Sequence, residues 1–231
     1  MLKRVLSACG AVLIASTAFA TISKDEVKRL EESSAILTEL RTSADKGIPE
    51  ELWSRAECVV VIPSMKKAAF VVGGEYGSGV MSCHNGNAWS APVFMQLAKG
   101  SWGLQIGAEE VDLVLLVMNR RGVDKLLDDK VSLGADASVA AGPVGRTANA
   151  ATDAKLKAEM LAYSRSQGLF AGIDLSGGVL RPDKDADTRA YGESVTPQQI
   201  VSGAGRVSPP AEARAFLDSL KRDVRATTGR K

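Results

Sequence analysis

The stretch FVVGGEYGSGV, residues 70–80, decides how this chain folds. Its β-branched and aromatic residues favour a strand, while its four glycines permit sharp bends and close approach of neighbouring backbones. A looser likeness recurs at residues 170–179, where an aromatic residue again precedes a glycine-rich strand. We therefore expect a strongly curved sheet or barrel.

Strand-like segments extend on both sides of this stretch. A β-branched run at residues 59–62 is ended by Pro63, and residues 159–166 and 169–180 predict a hairpin that turns near Gln167-Gly168. The remaining strand-like segments cover residues 88–98, 101–108, 111–118 and 132–144. Short strands separated by short breaks predict a mostly antiparallel sheet.

Helices are predicted at both ends of the sheet. Ser23 and Glu26 form a capping box before apolar residues at helical spacing, which predicts a helix over residues 23–46. A short helix is expected at residues 49–56, and Ser208-Pro209 begins a predicted C-terminal helix over residues 208–226. The predicted fold class is α+β, a curved, mostly antiparallel, glycine-rich sheet or barrel flanked by N- and C-terminal helices.

Residues 1–20 are predicted to be a secretory signal peptide. Lys3 and Arg4 precede a short apolar run, and Ala18-Phe19-Ala20 supplies the cleavage site. Residues 21–231 are then expected to form one domain, exported to the periplasm or cell envelope. The segment around Cys9 looks like a lipoprotein acylation box, which makes lipid anchoring an alternative, although the apolar run continues beyond it.

The charge balance argues against nucleic acid as the main partner. The chain carries 29 Lys and Arg against 27 Asp and Glu, a net charge of +2. Removal of the signal peptide takes away Lys3 and Arg4 and leaves 27 against 27, a net charge of zero. A neutral chain projects no long-range basic field toward phosphates. No segment beyond the signal peptide is long and apolar enough to predict a membrane span.

Cys58 and Cys83 remain after the signal peptide, and we predict that they form a disulfide in an oxidising compartment; two buried free thiols are the alternative. His84 is the single histidine and lies beside an Asn-Gly-Asn turn, so the sequence offers neither a His-rich metal site nor a triad with a nucleophile elbow. No cofactor is predicted, and the chain is predicted not to be an enzyme.

Five basic residues are candidates for contact with lipid phosphates. Lys66-Lys67 and Arg120-Arg121 each follow a strand and are expected at sheet ends, where the alternative is an ordinary solvated turn. Arg146 is the fifth candidate. Asp112 begins a buried strand and needs a partner, which Arg146 or Arg165 could supply; an enzymatic pocket, the third-ranked hypothesis, would lie around these three.

The order of the glycine-rich segments resembles the SYLF-domain family. The resemblance covers about residues 35–201 and rests on residues 69–79, 89–92, 100–107, 112–119, 142–146, 163–172 and 191–192. It implies a lipid-binding domain. Eukaryotic relatives couple phosphoinositide membranes to actin, but an exported bacterial protein would meet neither, so actin is not an expected partner. In some relatives an N-terminal amphipathic segment contacts lipid, and residues 23–44 occupy that place here.

These observations predict a non-enzymatic phospholipid-binding protein of the bacterial cell envelope. It would contact anionic head groups through Lys66, Lys67, Arg120, Arg121 and Arg146, which requires that these cations cluster and are not each paired with an acid. The alternative is an envelope module that holds a protein or glycan without dependence on lipid, and it predicts an exposed apolar patch. The N-terminal helix is expected to dock on the sheet, with a membrane-interface position as its alternative.

Overall fold

The computed structural model describes residues 22–42, 47–69, 72–86, 88–102, 107–144, 157–166, 169–203 and 207–221. The helices are α1 (Lys24–Thr42), α2 (Glu50–Arg55), α3 (Arg120–Asp128), α4 (Lys184–Tyr191), α5 (Pro197–Ser202) and α6 (Arg214–Leu220), with a 3-10 turn at Ala211–Ala213. The strands are β1 (Cys58–Ala69), β2 (Val72–Asn85), β3 (Ala88–Trp89), β4 (Val93–Trp102), β5 (Gly107–Val117), β6 (Val131–Ser132), β7 (Val139–Ala141), β8 (Met160–Ser166), β9 (Leu169–Gly172) and β10 (Gly178–Pro182).

The strands form one strongly curled sheet, a half-barrel. Their order is β6-β10-β4-β2-β1-β5-β8-β7, with β3 beside β2 and β9 beside β8. Every pairing of these strands is antiparallel except that of β7 with β8. The predicted α+β class, with a curved sheet and flanking helices, is confirmed.

The middle of the sheet is buried on both faces. Val59 and Val61 point toward α1, α2, α4 and α6, whereas Val60 and Ile62 point toward α3 and α5. We call these two sides the α1 face and the α3 face. Because residues on both faces of β1 are apolar, this strand reads as a continuous hydrophobic run rather than as an alternating one.

Two glycines of the opening stretch are required by the close packing of β1 against β2. A Cβ atom at Gly79 would overlap the backbone of Val61, and one at Gly77 would overlap the side chain of Ile62. In the same region the register of β1 shifts at a bulge, where Ser64 adopts a left-handed φ of 46°. The glycines therefore provide the close backbone approach expected from the sequence.

The predicted disulfide is confirmed. Cys58 and Cys83 are directly opposite each other on β1 and β2, and their sulfur atoms are bonded. The bridge is buried at one end of the central strand pair.

Several elements differ from the prediction. Two helices, α3 and α4, were not predicted; Asn119 caps α3 by accepting a hydrogen bond from Gly122, and Asp183 caps α4 by accepting one from Ala186. Residues 132–144 contain two short strands around a turn instead of one strand, and residues 169–180 are divided between β9 and β10. The β8–β9 hairpin itself forms with the expected pairing.

The terminal helices are shorter within the described residues than their predicted spans. Helix α1 begins at Lys24 behind the predicted capping box, and residues 43–46 lie outside the described residues. At the C-terminus residues 207–210 are extended, the helical structure begins at Ala211, and residues 222–226 are not described. The signal peptide prediction also falls outside the described residues. None of the helices described has the length and apolar composition to cross a bilayer.

Candidate functional site

The two predicted lipid-binding lysines lie on β1, each opposite acidic residues. Lys66 is exposed, and its neighbours across the sheet are Tyr76 on β2 and Glu110 on β5. Lys67 is opposite Glu75 on one side and Glu109 on the other. Opposite charges at directly facing positions attract each other, so Lys66 faces an acid rather than a second cation.

The two predicted lipid-binding arginines lie in the first turn of α3, not in a simple turn after the strand. The Nε of Arg120 is 3.2 Å from a carboxylate oxygen of Asp124. The Nε of Arg121 is 3.4 Å from Glu159, which also accepts from Lys125 at 3.1 Å. Burial raises the pKa of Glu159, but the Ser138 N–H and the Lys125 ammonium outweigh burial, and the net shift is downward.

These four cations do not form one surface. Lys66 is level with Glu110 on β5, whereas Arg120 follows the opposite end of that strand beyond Val117. The seven residue steps from Glu110 to Val117 separate the two pairs by roughly 23 Å along the strand. Arg146, the fifth predicted contact, lies outside the described residues. The structure thus places the lysine pair and the arginine pair at opposite ends of the sheet.

Asp112 has the partner that the sequence predicted. A guanidinium nitrogen of Arg165 is 2.6 Å from one carboxylate oxygen, and the backbone N–H of Ser64 donates to the other at 2.9 Å. Arg165 also pairs with Glu39 of α1. Because Arg165 joins two carboxylates from different elements, it connects the C-terminal half of α1 to the sheet.

A second ionic cluster holds the N-terminal half of α1. Arg29 is 2.7 Å from Asp183, the residue that caps α4, and the Nε of Arg189 on α4 donates to Glu26 at 2.8 Å. Glu26 and Asp183 are buried, and in both carboxyl groups burial raises the pKa but the arginine and N–H donors lower it by more.

Helix α1 is therefore part of the core. Leu30, Leu37 and Leu40 are buried against the sheet, and the helix contacts α6 as well as β1 and β2. The predicted docking of the N-terminal helix agrees with this arrangement. Its apolar face is occupied, so a membrane-interface position would require the helix to leave the sheet.

No sequence pattern indicated Asp187, the carboxyl group with the most strongly raised pKa among the described residues. It lies on α4 and is 3% exposed; one oxygen accepts from the N–H of Phe94 at 2.9 Å, and the other has no partner among the described residues. Burial raises its pKa to about 8, against the Phe94 hydrogen bond and with help from the charge of Asp183. Asp187 lines neither of two clefts, of about 320 and 170 Å³, in the described part of the chain. We therefore assign it a structural role.

The larger of those clefts does not resemble an active site. It is open, holds about 320 Å³, and lies between α3 and α5 with Arg120, Asp124, Gln198 and Ser202 among its lining residues. The enzymatic hypothesis placed its pocket around Asp112 and Arg165, and this cleft is elsewhere. Within the described residues there is also no group of three or more His, Cys, Asp or Glu that could hold a metal ion.

Exposed apolar side chains occur toward the end of the sheet that carries Lys66, where β1, β2, β4 and β5 continue three or four residues further. Tyr76 is 50% exposed and Leu169 is 55% exposed, and they are the large hydrophobic residues that the described structure leaves in solvent. We call this region, with Lys66, Tyr76, Ala98, Glu110 and Leu169, the distal end of the sheet. Leu169 is opposite Ser166, which places it within about one residue, roughly 3 Å, of the level of Tyr76.

Comparison with known proteins gives consistent matches. The family model described as "Ysc84: Las17-binding protein actin regulator" matches residues 98–223. The chain is 34% identical over 184 residues to Protein YSC84 of Saccharomyces cerevisiae, covering 75% of this chain and 39% of that protein. It is 35% identical over 186 residues to LAS seventeen-binding protein 3 of the same yeast, covering 75% and 40%.

A vertebrate relative matches over a longer stretch. SH3 domain-containing YSC84-like protein 1 of Xenopus laevis is 32% identical over 201 residues, which cover 86% of this chain and 58% of that protein. The chain thus spans about two fifths of the length of the yeast relatives and somewhat over half of the vertebrate one.

Proposed function

The chain belongs to the Ysc84 family, whose domain is the SYLF domain, and from this premise we propose that it is a non-enzymatic phospholipid-binding protein of a bacterial cell envelope. The family is one of actin-binding and regulatory domains rather than of enzymes, and it is linked to actin or lipid binding. The sequence predicts export, and an exported bacterial chain would meet lipid but not actin. Lipid is therefore the family ligand that fits the predicted compartment.

The observation that carries this proposal is the exposure of Tyr76 and Leu169 on the same part of the sheet. Single exposed apolar residues are ordinary, but here two lie at nearly the same level along the strands. Tyrosine combines an apolar ring with a polar hydroxyl, which suits the boundary between water and lipid. Two clefts in the described part of the chain, of about 320 and 170 Å³, are lined by other residues than these two.

The basic residues contribute less than the sequence suggested. Arg120 and Arg121 are 65% and 80% exposed in their ion pairs, and exposed pairs of this kind are worth about 0–1 kcal/mol, so lipid phosphates could replace the acids. They are separated from Lys66 by the length of β5, however. Their contribution to lipid binding remains a prediction that concerns the other end of the molecule.

A protein-binding module is the second candidate. The names of the yeast relatives refer to a protein partner, Las17, and an exposed apolar sheet end suits a protein surface as well as a lipid one. This candidate predicts that the protein shows no affinity for vesicles.

Vesicle co-sedimentation of the purified protein tests the proposal. The protein is mixed at low salt with phosphatidylcholine vesicles and, separately, with vesicles that also contain phosphatidylglycerol. We expect a fraction of the protein to sediment with vesicles and to remain in the supernatant without them. Failure to bind either vesicle would contradict the proposed function and would favour the protein-binding module.

A further inference from the structure

Two short strands form one side edge of the curled sheet. Strands β7 and β9 lie end to end along the outer side of β8. They meet at Ala162 of β8, whose carbonyl oxygen accepts from the N–H of Gly142 at 2.9 Å and from that of Ile173 at 3.1 Å. We call Val139–Ala141 together with Leu169–Gly172 the β7–β9 edge. We propose that this edge binds an extended, uncharged segment of a partner protein by strand addition, an interaction that goes beyond the proposed lipid binding.

The backbone of the β7–β9 edge offers hydrogen-bonding groups that no strand of the described structure pairs. Successive residues of a strand direct their N–H and C=O groups alternately to its two sides. The N–H groups of Gly142 and Ile173 point to β8. The residues that direct their backbone groups outward are therefore Val139, Ala141, Phe170 and Gly172. A strand laid along this edge would find hydrogen-bonding partners over its whole length.

The side chains of the β7–β9 edge form an apolar row on the α3 face. Val139, Ala141, Ala171 and Leu169 follow one another along this row. Ala171 and Leu169 are exposed, and Val139 and Ala141 are half-buried. Neither strand contains proline or a charged residue, which are devices that keep edge strands from pairing with other chains. The edge thus suits a segment in which apolar and polar residues alternate, with its apolar side chains beside this row.

A protein segment fits this edge better than lipid does. Hydrocarbon tails cannot pair outward N–H and C=O groups, whereas an extended backbone can. The three residues of β7 and the four of β9 give an edge about 23 Å long, which one extended segment of about seven residues would cover.

A second copy of this chain is also a poorer occupant. Two-fold pairing of β9 with the β9 of another copy would engage four residues on each side. Stable interfaces use roughly 20–30 residues on each side, so this pairing is far too small to hold a dimer. Short segments bound by strand addition, in contrast, obtain affinity from main-chain hydrogen bonds along a single edge.

Peptide titration of matched variants tests the inference. The probe is a fluorescein-labelled peptide of seven alternating threonine and valine residues, and its binding to the purified protein is followed by fluorescence anisotropy without lipid. We expect saturable binding to the wild-type protein. The same peptide with every second backbone nitrogen methylated keeps the side chains but loses the donors, and it should not bind.

Two substitutions on β9 locate the binding site. Phe170→Pro removes an N–H that points away from β8, so the hairpin keeps its own ladder while the probe loses a donor. This variant should bind the probe about fivefold or more weakly, whereas Phe170→Ala, which loses the same side chain but keeps the N–H, should bind like the wild type. Leu169→Lys places a charge in the exposed row and should also weaken binding, by about threefold or more. Thermal melts confirm that each variant is folded.

The outcomes decide between strand addition and its rivals. Saturable binding that is weakened in Phe170→Pro and Leu169→Lys but retained in Phe170→Ala supports the inference. Absence of binding to the wild-type protein, or equal binding to all variants, overturns it. A wild-type dimer that light scattering detects and that Phe170→Pro dissociates would assign the edge to a second copy, which also overturns it. Because the assay contains no lipid, none of these results bears on vesicle binding.

Discussion

Asp187 lies on α4, and its side chain faces strand β4. One carboxylate oxygen accepts a hydrogen bond from the Phe94 N–H, and the other has no partner among the described residues. Burial is the main cause that raises its pKa from an ordinary 3.8 to about 8. Between pH 3.8 and pH 8, Asp187 therefore holds a proton in the folded protein and releases it in the unfolded chain. The stability that this proton contributes is complete below pH 4 and is lost as the pH rises through 8.

Urea unfolding from pH 5 to pH 9 should therefore show a free energy of unfolding that decreases with pH, by up to about 1.4 kcal/mol per pH unit for one proton. In Asp187→Asn this decrease should be largely absent, because the amide cannot ionise. The lowered pKa values of Glu26 and Asp183 act below this range and do not mask the effect. A wild-type stability that is constant or increases up to pH 8 would contradict the burial of a protonated carboxyl group.

Gly79 and Gly74 both lie on β2, but they differ in the space that a Cβ atom would enter. Alanine substitutions at the two positions can therefore be compared directly. Gly79→Ala forces a methyl group into the backbone of Val61 and should cost about 3 kcal/mol or more. Gly74→Ala enters open space in an extended strand and should change stability by less than about 1 kcal/mol. Chemical denaturation of both variants measures the difference, and equal losses would mean that β1 and β2 are not packed this closely.

Some residue contacts could be predicted from the sequence and others could not. The Ser23–Glu26 capping box and the Asp112–Arg165 pair follow from local spacing and from the need of a buried acid for a partner. Asp187 has no such signal, because it lies in the polar run KDADTRAY and only the approach of β4 buries it.

Strands β1 and β2 are joined covalently by the Cys58–Cys83 bridge, which closes a loop with a sequence separation of 25. Removal of such a cross-link increases the entropy of the unfolded chain, at a cost of about 3 kcal/mol for this loop length. Cys58→Ala/Cys83→Ala should melt well below the oxidised wild-type protein. Addition of a reductant serves as the control, since it should lower the melting temperature of the wild type and leave the variant unchanged. Equal melting temperatures of the two oxidised proteins would contradict a structural role for the bridge.

Helix α1 depends on the partly buried Arg165, whose side chain is 25% exposed, whereas Arg121 in α3 is 80% exposed in its ion pair. Arg165→Met removes the cation that Asp112 and Glu39 share and should cost about 2–3 kcal/mol. Arg121→Met should cost less than about 1 kcal/mol. Thermal and urea unfolding of both variants provide the comparison. Similar small losses would show that the Arg165 network does not hold α1 on the sheet.

Helices and strands with a clear hydrophobic pattern or capping residue could be predicted from the sequence, and those without one could not. The β-branched run of β1 and the capped start of α1 have clear periodicity. In α4 only Ala186, Asp187 and Ala190 are buried, so no apolar stripe announces the helix. In α3 the pattern of Val123, Leu126 and Leu127 was available, but Arg120 and Arg121 were expected at a sheet end after the preceding strand, as lipid contacts or in a solvated turn.

As far as the structure describes it, the molecule is a curled sheet whose middle is covered by helices on both faces, while Lys66, Tyr76 and Leu169 farther along the strands are exposed. The family and the fold class were predictable because the glycine-rich segments occur in a specific order. The grouping of the basic residues was not, since it depends on register: β1 and β5 are antiparallel, so Lys66 late in β1 and Arg120 after β5 lie at opposite ends. The same register of β1 and β5 places Glu110 opposite Lys66 and Glu109 opposite Lys67.

The most direct test of lipid contact beside Tyr76 and Leu169 is the fluorescence of an environment-sensitive label at two positions. The label is attached to Leu169→Cys at the distal end or to Asp124→Cys on α3, with Cys9→Ser in both proteins and the buried Cys58–Cys83 bridge intact. On addition of phosphatidylcholine vesicles, the label at position 169 should shift to the blue and become accessible to lipid-borne quenchers, while the label at position 124 stays unchanged. A blue shift at position 124 with none at position 169 would contradict the account.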